Sequence, residues 1–296
     1  MYQLKDFGSY TAGGRVHVVS GEPVQTIRFT PTTSYRFNPN GHLLVEHAYV
    51  QYFVPENRNS APPVVLVHGG GMTGAMWETT PDGRPGWLQL LLRDGFEVHV
   101  VDNVERGRAG WHPDLWDGDP VVRTMEEAWS LFRIGAEEGF SARTPFPGQR
   151  FPVRHLEGLC RQFVPRWTST LPHQAAALAE VLATLGRSHV ICHSQGAQVV
   201  FSATEIRPGH IEHITALEPS GLPARPVDLS VQMVFGDYTD ATPTWCGLIE
   251  RCRQFAEAGG AKVTWLDLTE EGLPGHSHMM MMDEGNERVL ARVLKG

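Results

Sequence analysis

Several features that mark whole classes of protein are missing from this sequence of 296 residues. No run of eighteen apolar residues occurs, so the sequence predicts no membrane-spanning helix. Lys and Arg form no cluster and the formal net charge is -8, which argues against nucleic acid as a partner. The first ten residues lack an apolar core behind a basic start, so no signal peptide is visible. We expect a cytoplasmic protein as the sequence stands, and a periplasmic or secreted one if a leader was removed.

Cysteine is also scarce. The sequence contains 4 cysteines, and none shows the C-x-x-C spacing of a metal site: Cys160, Cys192, Cys246 and Cys252. We expect free, buried thiols and no metal. A hydrophobic content of 41% in a chain of this length is enough for one large α/β domain.

The most informative stretch is 188–197, an apolar run that ends in Ser194 and continues into helix-forming residues. This pattern is typical of a nucleophile elbow, in which a buried strand delivers a serine onto a sharp turn at the start of a helix. The usual signature is G-x-S-x-G. Here Cys192 replaces the first glycine and Gly196 supplies the second. The simpler alternative is a strand-to-helix turn capped by serine.

A glycine loop follows the apolar run at 63–67, and its sequence is His68-Gly69-Gly70-Gly71. Successive glycines let the backbone turn with its N–H groups exposed, which suits an oxyanion hole. We predict Gly70 as the donor in this loop, with Gly71 as the alternative, and the N–H of Gln195 as the second donor. A plain glycine loop is the competing interpretation.

The fold class predicted from hydrophobic patterning is α/β. Strand-like runs within 14–56 indicate antiparallel N-terminal strands, and later apolar runs indicate a mostly parallel central sheet with helices on both faces. The segment between residues 102 and 188 is much longer than a βα crossover requires. We interpret about 109–172 as a helical cap inserted into a single domain, 1–296, with aromatic side chains that line an acyl or aryl pocket. The competing interpretation, which is favoured for any single aromatic, is that it only attaches the cap to the body of the domain.

Acid and base candidates follow later strands. Glu218 directly follows the apolar run 211–217, and Asp237 follows the next apolar run. Both therefore lie at the strand ends where open α/β sheets bind ligands. By position alone, the favoured interpretation of Glu218 is an exposed glutamate in a salt bridge, and Glu218 and Asp237 remain two competing candidates for the acid. His276 and His278 come after the last predicted strand and complete the chain order Ser, acid, His. A soft-metal site formed by these histidines and the following methionines is the rival interpretation, although consecutive methionines point in different directions.

The segment W-E-T-T-P-D-G-R-x-G-W at 77–87, after H-G-x-x-x-T-G, resembles a small subgroup of bacterial carboxylesterases of the α/β-hydrolase fold whose triad acid is glutamate. The resemblance continues in 149–153, 164–167, 193–195, 218–219, 234–237 and 277–280. One member of the subgroup carries adjacent cysteines where this chain has Gly70 and Gly71. Any rigidity that such cysteines confer is therefore not implied here.

The resemblance implies a triad of Ser194, Glu218 and His278, because S-H-M-M of the family matches 277–280. Asp237 stays the alternative acid. We also place three side chains at the substrate pocket: Met72, Trp167 and Met279.

The predicted function is that of a serine hydrolase that cleaves carboxylic esters through an acyl-enzyme intermediate. We expect apolar acyl or aryl esters, with neutral esters preferred over charged ones, and no cofactor. The partner is a small-molecule ester, and a homodimer is one alternative for the assembly. A lactonase, thioesterase or C–C bond hydrolase would use the same triad, and a non-catalytic binding protein of this fold is a further alternative.

Overall fold

The computed structural model describes residues 2–112, 114–224, 228–259 and 262–295. Ten strands occur in this part of the chain: β1 (Leu4–Val19), β2 (Gln25–Thr30), β3 (Thr33–Phe37), β4 (Gly41–Pro55), β5 (Val64–Val67), β6 (Val98–Asp102), β7 (Ser188–His193), β8 (Ile211–Leu217), β9 (Ser230–Phe235) and β10 (Val263–Asp267). Eight form one sheet in the order β1-β4-β6-β5-β7-β8-β9-β10, and β2 and β3 form a separate hairpin.

The sheet is antiparallel at its N-terminal edge and parallel elsewhere. β4 pairs antiparallel with both β1 and β6, whereas the pairs from β6 to β10 are parallel. β5 has the sequence Val-Val-Leu-Val and is buried throughout, as expected of a strand covered on both faces. These pairings confirm the predicted mostly parallel sheet with antiparallel N-terminal strands.

β1 and β4 are longer than the strand runs that the sequence suggested. They contain 16 and 15 residues and form a ribbon, of which only Tyr49 to Phe53 of β4 pairs with β6. Most of β1 is therefore exposed to solvent. Because these strands do not need a buried face along their whole length, hydrophobic patterning marks only parts of them.

Seven α-helices occur in the described residues: α1 (Trp87–Arg93), α2 (Met125–Leu131), α3 (Leu156–Cys160), α4 (Leu171–Leu185), α5 (Gln195–Ile206), α6 (Pro243–Gly259) and α7 (Asn286–Val293). Side chains of α4, α5 and α6 pack with Val65 and Val67 of β5 in one core. Side chains of α1 and α7 pack with Val64 and Leu66 in a second core. Alternate residues of β5 thus point into the two cores on opposite faces of the sheet, which confirms the predicted helices on both faces.

The chain between β6 and α4 is the predicted insertion. It contains the short helices α2 and α3 and 3-10 turns at Glu137–Gly139 and Val153–His155, and much of the remainder is irregular. Its buried aromatic side chains divide between the two cores, with Trp116 and Trp167 in the first and Trp129, Phe132 and Phe151 in the second. Many of the insertion's aromatics therefore attach it to the body of the domain.

All four cysteines are free, and only Cys192 and Cys252 are buried, whereas Cys160 is partly exposed and Cys246 is exposed. Burial raises the pKa of Cys252 to about 12 and that of Cys192 further. The prediction of buried thiols therefore holds for two of the four. Within the described ranges, no helix is both long enough and apolar enough to cross a membrane.

Candidate active site

Ser194 lies on a strained turn between β7 and α5. Its backbone has φ 50° and ψ -119°, a left-handed conformation that side chains rarely adopt. The N–H of Ser194 donates to the carbonyl oxygen of Leu217 at 2.9 Å, which ties the turn to the end of β8. This is the geometry of the predicted elbow, with the serine held beyond the carboxyl end of the sheet.

Small residues on both sides of Ser194 allow the elbow to form. A Cβ atom on Gly196 would lie 2.5 Å from the carbonyl oxygen of His68, so only glycine lets α5 begin so close to the end of β5. Cys192 is fully buried, with its Sγ 3.6 Å from the carbonyl oxygen of Thr215. A cysteine is therefore accommodated where the usual motif has glycine.

Glu218 and His278 meet in the interior of the protein. Glu218 follows β8, is fully buried, and has Oε2 3.3 Å from Nδ1 of His278. The N–H of His278 donates to the carbonyl oxygen of Phe132 at 3.0 Å, and the Phe132 ring stacks on the imidazole with centroids 5.3 Å apart. Because Glu218 contacts Nδ1, Nε2 is the imidazole nitrogen that remains available to accept a proton.

Asp237, the alternative acid, has a different set of contacts. Its Oδ1 accepts a hydrogen bond from the N–H of Tyr238 at 2.7 Å, and its Oδ2 accepts one from the N–H of Gly275 at 2.9 Å. Both bonds hold the loop that leads to His278. His276, the other candidate base, pairs with a different carboxylate: its Nδ1 lies 3.3 Å from Oδ2 of Asp283. The structure thus brings Glu218, rather than Asp237, to His278.

Arg133 is a site residue that sequence reasoning missed. Its Nη1 and Nη2 donate to Oε2 and Oε1 of Glu218 at 2.9 and 2.6 Å, and its Nε donates to the carbonyl oxygen of Asp237 at 2.8 Å. The N–H of Gly236 also donates to Oε1 of Glu218, at 2.6 Å. A signal was available, since Arg133 lies in the apolar run Leu131-Phe132-Arg133-Ile134, where a buried arginine requires a partner.

These contacts determine the protonation states. Burial tends to raise the pKa of Glu218, but the charge of Arg133 and the contacts with His278 outweigh it and hold the pKa at about 2. Burial lowers the pKa of His278, and the charges of Arg133 and Arg123 lower it further, against the opposing effect of Glu218. At neutral pH, Glu218 is therefore ionised and His278 is a neutral imidazole that can accept a proton.

His193 adjoins His278 and holds its backbone. Nε2 of His193 lies 2.9 Å from the carbonyl oxygen of His278, and the ring centroids are 4.6 Å apart. Burial, together with the neighbouring His278, keeps the pKa of His193 well below its ordinary value. A neutral His193 with its proton on Nε2 fits this contact.

The glycine loop after β5 is fixed at several points. Nδ1 of His68 lies 2.9 Å from the carbonyl oxygen of Gly69, and Nε2 of His68 accepts a hydrogen bond from the N–H of Asn103 at 3.1 Å. Gly71 has φ 73°, and its carbonyl oxygen accepts a hydrogen bond from the N–H of Val164 at 2.9 Å. Gly70, between them, lines the same cavity as Ser194 and Gln195.

This cavity has a volume of about 310 Å³. It is lined by Gly70, Met72, Arg123, Leu131, Phe132, Arg166, His193, Ser194, Gln195, Ser220, Thr244, Trp245, Leu248, Arg251 and His278. Side chains of the insertion and of α6 thus cover the residues at the strand ends. Trp245 packs against His278 with centroids 4.5 Å apart.

Of the three predicted pocket residues, only Met72 lines this cavity. Trp167 packs edge-on against Trp116, with centroids 5.2 Å apart, and lines a separate cavity of about 580 Å³ together with Trp111. Met279 is fully buried in the second core together with the methionines that follow it. The structure differs from the prediction here because aromatic and sulfur-containing side chains fill the core as readily as a pocket. The described residues contain no group of three or more His, Cys, Asp or Glu side chains that could hold a metal ion.

A family model described as alpha/beta hydrolase fold matches residues 62–271, which is more than half of the chain. The chain belongs to the α/β-hydrolase fold family. The matched part of this hydrolase contains the elbow, the glycine loop and Glu218, and it ends before His278.

This hydrolase is also similar to individual proteins. It is 26% identical over 313 residues to "Probable secreted lipase phiG" of Fungal sp. (strain ATCC 74256), and the match covers 83% of this chain and 84% of that protein. A solved structure described as "The Atomic Resolution Structure of a Novel Bacterial Esterase" has a TM-score of 0.86 and 29% identity, and covers 100% of this hydrolase and 96% of that chain. Together, these matches support hydrolysis of carboxylic esters by a serine nucleophile, and they do not favour the lactonase, thioesterase or C–C bond hydrolase alternatives.

Proposed function

We propose that this hydrolase cleaves carboxylic esters with Ser194 as nucleophile, His278 as general base and Glu218 as the acid that orients His278. The observation that carries the proposal is the contact between the buried Glu218 and Nδ1 of His278, a histidine that lines the same cavity as Ser194. Ser194 follows β7, Glu218 follows β8 and His278 lies in the loop after β10, which is the chain order Ser, acid, His that is typical of this fold.

In the first half-reaction, Nε2 of His278 takes the proton of the Ser194 hydroxyl while Oγ forms a bond to the ester carbonyl carbon. The carbonyl π electrons move onto oxygen, and the N–H groups of Gln195 and Gly70 donate to the oxyanion. The tetrahedral intermediate then collapses and the bond to the alcohol oxygen breaks. That oxygen takes the proton from His278 and leaves as the alcohol, which leaves an acyl-serine.

Water completes the cycle. His278 takes a proton from water as the water oxygen bonds to the acyl carbon, and the second tetrahedral intermediate releases Oγ of Ser194 with that proton. The products are one acid and one alcohol, so no oxidant or cofactor enters the balance. We propose Gly70 over Gly71 as the loop donor, since Gly70 lines the cavity. Losing one such donor typically costs about 2.7–4 kcal/mol of transition-state stabilisation.

Arg133 supports Glu218 rather than the substrate. A fully buried carboxylate without a partner would take up a proton, whereas the two hydrogen bonds from Arg133 keep Glu218 ionised and fix its plane. The ion pair also limits how strongly Glu218 raises the basicity of His278. We therefore assign Arg133 a positioning role.

The apolar side of the cavity supports an ester with a hydrocarbon portion. Met72, Leu131, Phe132, Trp245 and Leu248 all contribute to its lining. Apolar contact with these side chains contributes about 25 cal/mol for each Å² removed from water.

A serine-directed phosphonate tests the proposed nucleophile. We expect a fluorophosphonate to label Ser194 of the intact protein stoichiometrically, with loss of ester hydrolysis, and Ser194→Ala to resist both labelling and turnover while its circular dichroism is unchanged. Ser202→Ala in α5 is a matched control and should behave as wild type. Label on another residue, or hydrolysis by Ser194→Ala within tenfold of wild type, would contradict the assignment.

We also propose that this hydrolase forms a homodimer through the outer part of the β1–β4 ribbon. Val16 and Leu44 are opposite each other in the register of this ribbon, and their exposed fractions are 53% and 73%. Sedimentation of wild type and Leu44→Glu tests this. A wild-type dimer that dissociates in the variant supports the contact, and a wild-type monomer at high concentration contradicts it.

A further inference from the structure

Three arginines line the cavity that contains Ser194, and none of the aspartates or glutamates in the described part of the chain lines it. Arg123 and Arg166 belong to the insertion, and Arg251 belongs to α6. Arg123 and Arg166 are partly buried, whereas Arg251 is exposed. A pocket for neutral, apolar esters has no use for guanidinium groups, and withdrawing Arg123 and Arg166 from water is unfavourable without an anion. The charge of the lining therefore differs from the neutral pocket that the sequence predicted.

Arg166 lies against the oxyanion loop. A Cβ atom built on Gly70 would be 2.7 Å from Nη1 of Arg166, so the guanidinium touches the glycine proposed as oxyanion donor. The backbone of Arg166 is fixed by a pair of hydrogen bonds with Val121, at 3.1 and 2.7 Å. Its Nε is buried without a hydrogen-bond partner, and none of the ion pairs among the described residues includes Arg166.

Arg123 approaches His278 through Phe132. Its side chain is 10% exposed and its Cζ lies 5.1 Å from the centroid of the Phe132 ring, which also stacks on the His278 imidazole. Nη1 of Arg123 lies 2.8 Å from Oε1 of Glu127, yet it makes no hydrogen bond of acceptable geometry. Glu127 thus offsets the charge of Arg123, but Nη1 of Arg123 remains a buried donor without a hydrogen bond.

The charges near the cavity do not balance. Arg106, which approaches Gln195, is compensated by a buried ion pair with Glu105 at 2.8 Å. Arg123 is compensated in part by Glu127, whereas Arg166 has no carboxylate partner among the described residues. The charge of Arg166 in turn lowers the pKa of both Arg106 and Arg123, after the larger effect of burial. An anion in the cavity would relieve this repulsion and satisfy the free donors.

We propose that the substrates of this hydrolase are esters that carry a carboxylate, and that Arg166, assisted by Arg123, binds that carboxylate. The apolar lining contacts the hydrocarbon between the ester and the carboxylate. The substrate class is therefore a monoester of a dicarboxylic acid, or an ester of a hydroxy acid, with a short chain between the two groups. This inference rests on the proposed ester hydrolysis and specifies its substrate.

Two pairs of substrates test the inference on the intact protein. The first pair is monomethyl adipate and its neutral isostere methyl adipamate, in which an amide replaces the carboxylate of the acyl chain. The second pair is 4-acetoxybutanoate and 4-acetoxybutanamide, which places the same difference on the alcohol side. We expect kcat/KM of the wild type to favour the carboxylate at least tenfold in one pair, and this preference to shrink as salt is raised.

Matched variants connect the preference to the arginines. Arg166→Gln should reduce the carboxylate-to-amide ratio of kcat/KM by about ten- to one-hundredfold, the range expected for a charge-assisted contact. Arg123→Gln should reduce the ratio less, because Glu127 already offsets Arg123. Arg154→Gln is the control, since Arg154 is an exposed arginine of the insertion that does not line the cavity, and its ratio should equal that of the wild type.

The outcomes separate this inference from the proposed function. Ser194-dependent hydrolysis of 4-nitrophenyl butyrate, with ratios near one in both pairs, would overturn the inference and leave ester hydrolysis intact. A wild-type preference that persists in Arg166→Gln would also overturn it. Absence of Ser194-dependent hydrolysis of every ester would instead refute the proposed function itself.

Discussion

Replacing Arg133 with methionine removes the guanidinium that neutralises Glu218. Both side chains are fully buried, and two hydrogen bonds of 2.9 and 2.6 Å join them. Removing one partner of a buried ion pair typically costs about 3–5 kcal/mol. The pKa of Glu218 is of the same scale: the combined effect of burial, Arg133 and His278 lowers it from 4.5 to about 2, which corresponds to about 3 kcal/mol. We therefore expect Arg133→Met to lower the free energy of unfolding at pH 7 by about 3 kcal/mol.

The pH dependence of this effect has a defined sign. Because the pKa of Glu218 is lower in the folded protein than in the unfolded chain, the stabilisation is present above pH 4.5 and is lost as the pH falls towards about 2. In Arg133→Met most of this stabilisation is absent at every pH. The unfolding free energy of the variant should therefore fall less steeply than that of the wild type over this window.

Urea unfolding followed by tryptophan fluorescence measures these free energies. The double variant Arg133→Met with Glu218→Gln removes both charges and should be more stable than Arg133→Met alone, since no buried carboxylate is left unpaired. Arg161→Met is the control, because Arg161 forms an exposed pair with Glu157 and should cost less than about 1 kcal/mol. The reasoning would be refuted if Arg133→Met lowered the free energy of unfolding as little as the control does. It would also be refuted if the change in the double variant equalled the sum of the changes in the two single variants.

Three further predictions concern turnover. His278→Ala should lower kcat by several orders of magnitude, whereas His276→Ala should retain activity; the reverse result would show that the wrong histidine was assigned as the base. Gly70→Ala keeps its backbone N–H, but the added Cβ would lie 2.7 Å from Nη1 of Arg166 and 3.0 Å from Oε1 of Gln195, so we expect the loop to shift and its N–H to be misplaced. The expected loss of kcat is about 10²-fold, as for the loss of one oxyanion donor. Gly247→Ala is the control, since its Cβ would make only an ordinary contact of 3.7 Å with Arg251, and equal kcat in the two variants would contradict the role of Gly70. On the acid side, kcat/KM should decrease only below pH 6.5, since burial lowers the pKa of His278. Arg123→Gln should shift this decrease to higher pH, because the charge of Arg123 also lowers the pKa of His278. The same pH dependence in wild type and variant would contradict the electrostatic argument.

Local signals in the sequence were enough for the elements that carry the elbow. The apolar run 211–217 has the same bounds as β8, and the helix-forming residues after Ser194 begin α5 at Gln195. Their boundaries follow from short-range features, namely apolar periodicity and the turn at Ser194.

Contacts between distant segments could not be predicted in the same way. Arg133 and Glu218 are 85 residues apart, and no periodic pattern relates a residue of an irregular insertion to the end of β8. The same limit applies to the pocket. Composition predicted an aromatic insertion, but the position and orientation of each ring decide where it lies. Phe132 lines the cavity that contains Ser194, whereas Trp167 lines a separate cavity. The cationic lining was missed because Arg123 and Arg166 are separated in sequence and approach each other only across the folded insertion.

The central claim of this account is that Glu218, rather than Asp237, is the acid that orients His278 for attack by Ser194. The most direct measurement compares kcat of Glu218→Gln and Asp237→Asn on one neutral ester that the wild type hydrolyses well. Glu218→Gln should lower kcat by several orders of magnitude, about 10⁴-fold in the best-studied triad. Asp237→Asn should weaken the loop that Asp237 holds through Gly275, and so change stability more than kcat. A crippled Asp237→Asn beside a nearly wild-type Glu218→Gln would contradict the account.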